Sequence, residues 1–325
     1  MKFYTNVQLI GNQFLVRGVE NGRRYEFRDE FFPTLFVKSK KDSKYRTLSG
    51  EPVEKIHPGT VRECRDFYKK YDDVQGFAIY GNDRYIYQYI SEKYPQDEIK
   101  FDISQIKLVT IDIETASERG FPDVESASEE ILAITIQDYN TKKITTWGIK
   151  PFFNKQENVT YYHCPTEQEL LSHFINFWMM DVPDVVTGWN IQMYDIPYIC
   201  KRLNRVLGEK LMKRFSNWGL VTEGEVYIQG RKQTTFDVGG LTQLDYLDLY
   251  KKFTYKAQES YRLDYIAEVE LGQKKLDHSE FETFKDFYTH GWQKYIEYNI
   301  VDVELVDRLE DKMKLIELAL TMAYD

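Results

Sequence analysis

The fold of the larger part of the chain depends first on the segment Ile106-Lys107-Leu108-Val109-Thr110-Ile111-Asp112-Ile113-Glu114. It is an apolar run of strand length that ends on two carboxylates. Because Asp112 and Glu114 are two residues apart on a predicted strand, both side chains leave the same face. Ile111 and Ile113 then face the opposite way, into a predicted core. An isolated Asp-x-Glu is more often a strand end that meets solvent, so this pattern needs support from elsewhere.

Two later segments supply that support, residues 190–195 (NIQMYD) and 298–302 (YNIVD). Tyr298 and Asp302 are four residues apart on a predicted helix and share one face. Asp195 lies where a predicted strand gives way to a helix, and strand ends are common places for sites in α/β sheets. We therefore expect Asp195 and Asp302 to join Asp112 and Glu114 in one site. Four carboxylates suit a pair of hard divalent cations that clamp the two oxygens of a phosphodiester, which indicates a nuclease.

Other polar residues near these segments have simpler interpretations. Asn190 alone is typical of a turn. Asp245 and Asp248 resemble metal ligands as well, but we expect a structural role for both.

Composition indicates a folded protein of about two domains. The 325 residues are 42% hydrophobic and 29% charged, and no apolar run reaches the roughly 18 residues of a membrane span. The first residues lack the apolar core of a secretory signal. Cys64, Cys164 and Cys200 are scattered without zinc-site spacing, so we expect a reducing, cytoplasmic setting.

The formal net charge of -9 argues against a broad electrostatic nucleic-acid binder. The acidic excess lies after residue 100, where bound metal would neutralise the carboxylate cluster locally. The basic stretch Lys38–Arg46 offers contacts to a phosphate backbone, although a solvated loop is the favoured interpretation.

Alternating patterns predict a small, strand-rich domain over the first hundred residues. Asn21-Gly22 predicts a hairpin turn, and a helix is predicted around Val61 to Lys70. The domain boundary is predicted near residues 102–104. The predicted strands are Phe3–Ile10, Gln13–Val19, Arg24–Phe27, Leu35–Val37 and Phe77–Ile79.

Strands followed by alternating strands and helices predict an α/β fold with a mixed sheet for the rest of the chain. Thr166 is predicted to cap a helix that reaches Met180, and a hairpin with Gly230 at its tip is predicted over Glu225 to Phe236. A long helical pattern covers residues 295–324. The predicted strands and the remaining helix are Ile106–Ile113, Ile131–Ile136, Lys143–Trp147, Val159–Tyr162, Asp184–Trp189 and Asp195–Arg205.

The three carboxylate segments resemble exonuclease motifs I, II and III of family B DNA polymerases, most closely those of T4-like bacteriophages. The resemblance covers nearly the whole chain. It implies an N-terminal domain over residues 1–104 and a 3′-5′ exonuclease domain with a ribonuclease H-like fold over residues 105–325.

The resemblance also implies an activity, namely 3′-5′ proofreading of single-stranded DNA ends in the cytoplasm of an infected bacterial host. Two Mg²⁺ or Mn²⁺ ions are implied, with Asp112 bridging both ions and Glu114, Asp195 and Asp302 completing their shells. Tyr298 would orient the attacking water and the scissile phosphate.

The family's DNA contacts map onto four positions of this chain. Phe121 and Asn190 match residues that hold the strand, and Phe121 would either stack on a base or anchor an apolar loop. Gly230 and Arg231 lie in the hairpin that, in the family, helps part primer from template.

One departure from the family limits what we expect of this chain. The Asp-Thr-Asp and Ser-Leu-Tyr-Pro-Ser motifs of the polymerase domains do not occur in the sequence. We therefore expect an engineered fragment or a split-gene subunit whose polymerase domains lie on a second chain. The final helix would then meet that partner or pack back on the N-terminal domain. A non-catalytic module that binds single-stranded nucleic acid or docks on a polymerase remains the alternative.

Overall fold

The computed structural model describes residues 2–95, 99, 101–118, 120, 122–228, 230–273, 276 and 279–324. Over these ranges the chain divides into two compact units. The first lies between residues 2 and 101 and also includes Tyr324, and the second lies between residues 102 and 323.

The first unit is built mainly from antiparallel strands. Its elements are β1 (Lys2–Ile10), β2 (Gln13–Glu20), β3 (Arg23–Glu30), β4 (Leu35–Lys38), β5 (Tyr45–Arg46), β6 (Pro52–Ile56), α1 (Val61–Tyr71), β7 (Ile79–Tyr80) and α2 (Tyr85–Lys93). β1 pairs with β2 and β2 with β3, while β4 pairs with β6 and β7, and β5 pairs with β6. The predicted turn is confirmed, because Asn21 and Gly22 both have positive φ and join paired residues of β2 and β3.

Aromatic packing and a helix cap stabilise the first unit. Phe14 stacks on Tyr89 with ring centroids 4.5 Å apart. Thr60 and Glu63 close a capping box at the start of the predicted α1. The strand predicted at residues 77–79 begins later, at Ile79, because the backbone of Phe77 still closes a turn onto Val74.

Acidic side chains pair with two residues of the basic stretch Lys38–Arg46. Arg46 pairs with Asp42 at 2.5 Å, and Lys38 pairs with Glu51 at 3.0 Å, all four with exposed side chains. These pairs agree with a solvated surface stretch, but the predicted loop covers only residues 39–44, because Lys38 ends β4 and Tyr45 and Arg46 form β5.

The second unit contains a mixed sheet and a separate hairpin. The strands are β8 (Leu108–Thr115), β9 (Ile131–Asp138), β10 (Ile144–Gly148), β11 (Val159–His163), β12 (Val185–Gly188), β13 (Val221–Ile228), β14 (Arg231–Val238) and β15 (Thr242–Asp245). The order in the sheet is β11-β10-β9-β8-β12-β15. β8 is antiparallel to β9 and parallel to β12, so the predicted mixed α/β architecture is confirmed. The predicted hairpin is confirmed as β13 paired with β14.

Helices cover the sheet, and their boundaries follow local capping chemistry. The backbone N–H of Glu169 donates to the Thr166 hydroxyl at 3.2 Å, which confirms Thr166 as a helix cap. Among the described residues, no helix has both the length and the apolar character needed to cross a bilayer. The helices are α3 (Glu167–Met180), α4 (Asp195–Leu207), α5 (Glu209–Met212), α6 (Tyr246–Phe253), α7 (Leu263–Leu271), α8 (Phe284–His290), α9 (Trp292–Met313) and α10 (Leu315–Tyr324).

The single helical pattern predicted over residues 295–324 is wrong at one point. Lys314 is left-handed, with φ of 57°, and separates α9 from α10. The Glu310 carboxylate accepts the N–H groups of Ile316 at 2.9 Å and Glu317 at 3.1 Å. This carboxylate therefore caps the new helix start and compensates for the break.

β8 separates an apolar face from a polar one, as its sequence predicts. Ile111 and Ile113 are buried in a core that includes Phe174 of α3 and Ile199 of α4. The helix α9 packs against β8 and β9 through a different core that contains Ile300. Asp112 and Glu114 leave β8 on the face opposite Ile111 and Ile113.

Candidate metal centre and adjoining cleft

β8 and α9 bring three of the predicted ligands together. Asp112, Glu114 and Asp302 each offer a carboxylate oxygen, and these oxygens all lie within 4.8 Å of one another. Glu114 and Asp302 are buried, at 7% and 6% exposure, while Asp112 is half-buried. Ionised carboxylates this close repel one another, and a cluster of such oxygen ligands is suited to binding hard divalent cations.

Asp195, the fourth predicted ligand, is tied to the backbone of β8 beside that group. It is the first residue of α4, and its Oδ1 accepts the N–H of Ile113 at 3.0 Å. Burial raises the pKa of Asp195 to about 7, and the nearby Asp245 and Asp302 carboxylates add to the rise, against the effect of the Ile113 N–H. A cation at the cluster would favour the ionised form instead.

The turn before Asp195 is fixed by close packing and by a buried carboxylate. A Cβ on Gly188 would lie 2.4 Å from the carbonyl oxygen of Ile111, so β12 approaches β8 as only glycine allows. Asn190 follows with φ of 68°, and its N–H donates to Asp245 at 3.0 Å. Asp245 also accepts the N–H groups of Gln192 and Leu247, which confirms its predicted structural role.

An open cleft of about 740 Å³ adjoins this turn. Its lining contains both basic and acidic side chains, among them Lys232, Lys251 and Asp248. Asn190, a predicted DNA contact, and Tyr194 line it. The full lining is Pro122, Asp123, Val124, Glu125, Asn190, Met193, Tyr194, Ile228, Lys232, Gln233, Thr234, Leu247, Asp248 and Lys251.

Tyr298 lies one helical turn before Asp302 on α9, as predicted, and is half-buried. Its ring packs edge-on against Phe287 with centroids 5.9 Å apart. The sequence analysis did not identify a second tyrosine on this helix, Tyr295, as a neighbour of the site. Burial and the neighbouring Glu114 carboxylate raise the pKa of Tyr295 well above its usual range, so its phenol stays protonated.

The remaining predicted DNA contacts lie on or near the hairpin. Gly230 occupies the turn between β13 and β14 with φ of 77°. Arg231 begins β14, but its side chain lies outside the described part of the structure, as does the whole of Phe121.

Asn299 and Thr135 are site residues that the sequence analysis missed. The Asn299 amide donates to Asp112 Oδ2 at 2.6 Å, and the Thr135 hydroxyl donates to the Asn299 amide oxygen. Asn299 lies inside the YNIVD segment, and Thr135 interrupts the apolar run 131–136, which are the signals that would have found them.

Similarity to a known family covers more than half of the chain. The model of the family described as DNA polymerase family B, exonuclease domain, matches residues 69–266. The chain belongs to this family. The family match runs from α1 to α7 and so includes Asp112, Glu114 and Asp195, whereas Asp302 lies beyond it on α9.

Individual relatives extend the match to almost the full length of this member of the family. The DNA-directed DNA polymerases of Escherichia phage RB69 and Enterobacteria phage T4 are 31% and 30% identical to it, each over 99% of the chain. The DNA polymerase catalytic subunit of human herpesvirus 6A is 28% identical over 62% of the chain. The chain spans 38% of the length of each phage relative and 21% of the herpesvirus protein.

Proposed function

We propose that this chain is a metal-dependent 3′-5′ exonuclease that removes nucleotides from single-stranded DNA ends. The observation that carries the proposal is the convergence of Asp112, Glu114 and Asp302 on one face of the sheet in a member of this family. A ribonuclease H-like fold is part of the proposal, and the mixed sheet with its antiparallel β8, β9 and β10 supports it.

The carboxylates suit two Mg²⁺ or Mn²⁺ ions. Their oxygens are hard ligands, and Asp112, Glu114 and Asp302 would hold the ions, with Asp195 completing the set. When bound, such ions lower the pKa of a coordinated water and stabilise the leaving 3′ oxygen.

The other residues of the site would orient the substrate. Tyr298 is proposed to position the water and the scissile phosphate through its hydroxyl. Asn190 and the cleft beside it would hold the single strand, with Lys232 and Lys251 facing its phosphates. Phe121, Gly230 and Arg231 are proposed as further DNA contacts.

We also propose residues 1–104 as the N-terminal domain and residues 105–325 as the exonuclease domain. The names of the phage relatives suggest where the substrate end comes from. It would arrive from a DNA polymerase, whether on the same polypeptide or on a second chain, during replication in an infected bacterial cell.

The decisive experiment incubates the purified chain with 5′-labelled single-stranded DNA in Mg²⁺ and, separately, in EDTA. We expect a ladder of shortened products and released 5′-mononucleotides in Mg²⁺ alone. The double variant Asp112→Ala/Glu114→Ala should be inactive while its circular dichroism spectrum stays that of the wild type.

The matched control also removes two carboxylates, through Glu209→Ala/Asp311→Ala. Both are largely exposed and pair with surface lysines, so this control should cleave like wild type. If the DNA stays intact over a wide range of enzyme and metal concentrations while DNA binding is measurable, the nuclease proposal is rejected. The chain is then a non-catalytic binding module.

A further inference from the structure

A row of polar side chains crosses the sheet behind the metal-binding cluster. In the strand register Asp112 of β8 lies opposite Thr135 of β9, and Thr135 lies opposite Thr146 of β10. Directly paired residues point to the same face, so the three side chains stand side by side. Asn299 of α9 meets this row.

The hydrogen bonds of this row have a fixed direction. A carboxylate only accepts hydrogen bonds, so the nitrogen of the Asn299 amide faces Asp112 Oδ2, at 2.6 Å. The amide oxygen then accepts the hydroxyl hydrogen of Thr135. Because Thr135 has a single hydroxyl hydrogen, Thr146 must donate to it across their 2.9 Å contact.

The burial of these side chains makes their hydrogen bonds necessary for the stability of the fold. Asn299, Thr135 and Thr146 are fully buried between α9 and the sheet, where an unbonded amide or hydroxyl would be destabilising. The bonds among Thr146, Thr135 and Asn299 fix the Asn299 amide, and the bond from its nitrogen to Oδ2 depends on the orientation of the Asp112 carboxylate. The row thus favours a single rotamer of Asp112 and keeps its Oδ2 oriented toward α9.

We propose that Asn299 is a positioning residue that, held by Thr135 and Thr146, orients Asp112 for metal binding. The inference rests on the proposed function, because it takes Asp112 as a metal ligand. Asn299 touches the carboxylate and not the substrate, so its effect should appear in metal affinity before it appears in DNA binding.

The test measures Mn²⁺ binding to the full chain directly, by calorimetry and by electron paramagnetic resonance, in the absence of DNA. Asn299→Leu should weaken Mn²⁺ binding by about 10–100-fold, the range found when a hydrogen-bond partner of a metal ligand is removed. Thr135→Val keeps the shape of the side chain and leaves Asn299 in place, so its loss should be smaller, while Thr135→Ser should restore wild-type affinity.

Thr187→Val is the matched control. Thr187 is also a buried strand threonine, but its hydroxyl donates to the carbonyl of Leu244 at 2.6 Å, away from Asp112. The control loses one buried hydrogen bond, as Thr135→Val does, and should bind Mn²⁺ like wild type. An equal loss of Mn²⁺ affinity in Thr135→Val and Thr187→Val would show that the row only stabilises the sheet, and would overturn the proposal.

The remaining outcomes separate this inference from the proposed function. Wild-type Mn²⁺ affinity in Asn299→Leu and Thr135→Val, with normal cleavage by the unmodified chain, would overturn only the positioning role. A wild-type chain that neither binds Mn²⁺ nor cleaves DNA would overturn both. If Asn299→Leu fails to fold, as judged by circular dichroism, the Thr135 pair decides the question.

Discussion

The carboxylate cluster and the β13–β14 hairpin lie in the same compact unit but differ in how tightly the fold constrains them. Glu114, Asp195 and Asp302 are each at most 7% exposed and come from three separate elements. The hairpin instead exposes an apolar surface, with Tyr227 at 72% exposure. Charge has been buried where chemistry is proposed, and apolar surface has been left in solvent where substrate handling is proposed.

This difference indicates which region depends on accurate side-chain positions. Buried like charges are tolerated only with a compensating ligand and fixed orientation, so a small change there has a large effect. An exposed hairpin depends on few contacts, so a change there should have an effect only when the hairpin contacts DNA. The following predictions test that contrast in order of decreasing effect.

Asp302→Ala should lower kcat by about 10³-fold, because metal-held charge stabilisation is worth several kcal/mol in the transition state. Single-turnover cleavage of labelled single-stranded DNA measures the loss. Asp311→Ala, on the same helix but paired with Lys142 at the surface, is the control and should retain activity. A loss below tenfold in Asp302→Ala would remove this residue from the metal site.

Tyr298→Phe should slow cleavage by about 10–100-fold, the effect of one hydrogen bond to a charged group, with little change in DNA affinity. The reason is that the hydroxyl is proposed to act in the transition state. Cleavage rate and fluorescence-anisotropy binding are compared with those of Tyr161→Phe, which removes a hydroxyl that donates to the backbone carbonyl of Lys150 at 2.5 Å, outside the site. Parallel losses of rate and affinity in Tyr298→Phe would make it a binding residue.

Mg²⁺ should raise the thermal midpoint of the wild-type chain by about 5–10 °C at 100-fold excess over its Kd. The physical reason is that the metal relieves repulsion among buried carboxylates. Calorimetry with and without EDTA measures the shift, which should vanish in Asp112→Ala/Glu114→Ala. An equal shift in that double variant would place the stabilising ions elsewhere.

Shortening the hairpin should have the smallest effect on single-stranded substrate. The base must stay, because Phe236 is buried in the core and Thr234 donates to Glu125. Replacing residues 228–231 by Asn-Gly joins the paired Tyr227 and Lys232 through a two-residue turn and keeps the Lys232 that is proposed to face the single strand. Single-strand cleavage should be nearly unchanged, while cleavage at paired primer ends should fall; a large loss on single strands would show that the hairpin builds the active site.

Much of the sheet was predictable from sequence because its signals are local. The apolar runs of β8 and β9 and the Asn21-Gly22 turn each act within a few residues. The break at Lys314 was not predictable, because lysine rarely adopts positive φ and the apolar pattern continues on both sides. Only the fold places Glu310 where it caps the next helix.

The positions of the candidate ligands could be predicted, but their surroundings could not. Asp112 and Glu114 share a face by strand alternation alone, and the structure brings Asp302 to them. The bond from Asn299 to Asp112, however, depends on how β8 pairs with β9 and on where α9 crosses them. Register and helix crossing are set by the whole core, so a single sequence does not reveal them.

The pairing of Asp112 with Thr135 also bears on how the sheet finds its correct alignment during folding. Thr135 is flanked by Ile134 and Ile136, both buried. A slip of β9 by one residue would place an isoleucine opposite the aspartate and turn Thr135 toward the apolar core on the other face. The misaligned sheet would place the Asp112 carboxylate beside an isoleucine and the Thr135 hydroxyl in an apolar core. The residues that orient the carboxylate therefore also disfavour the wrong register.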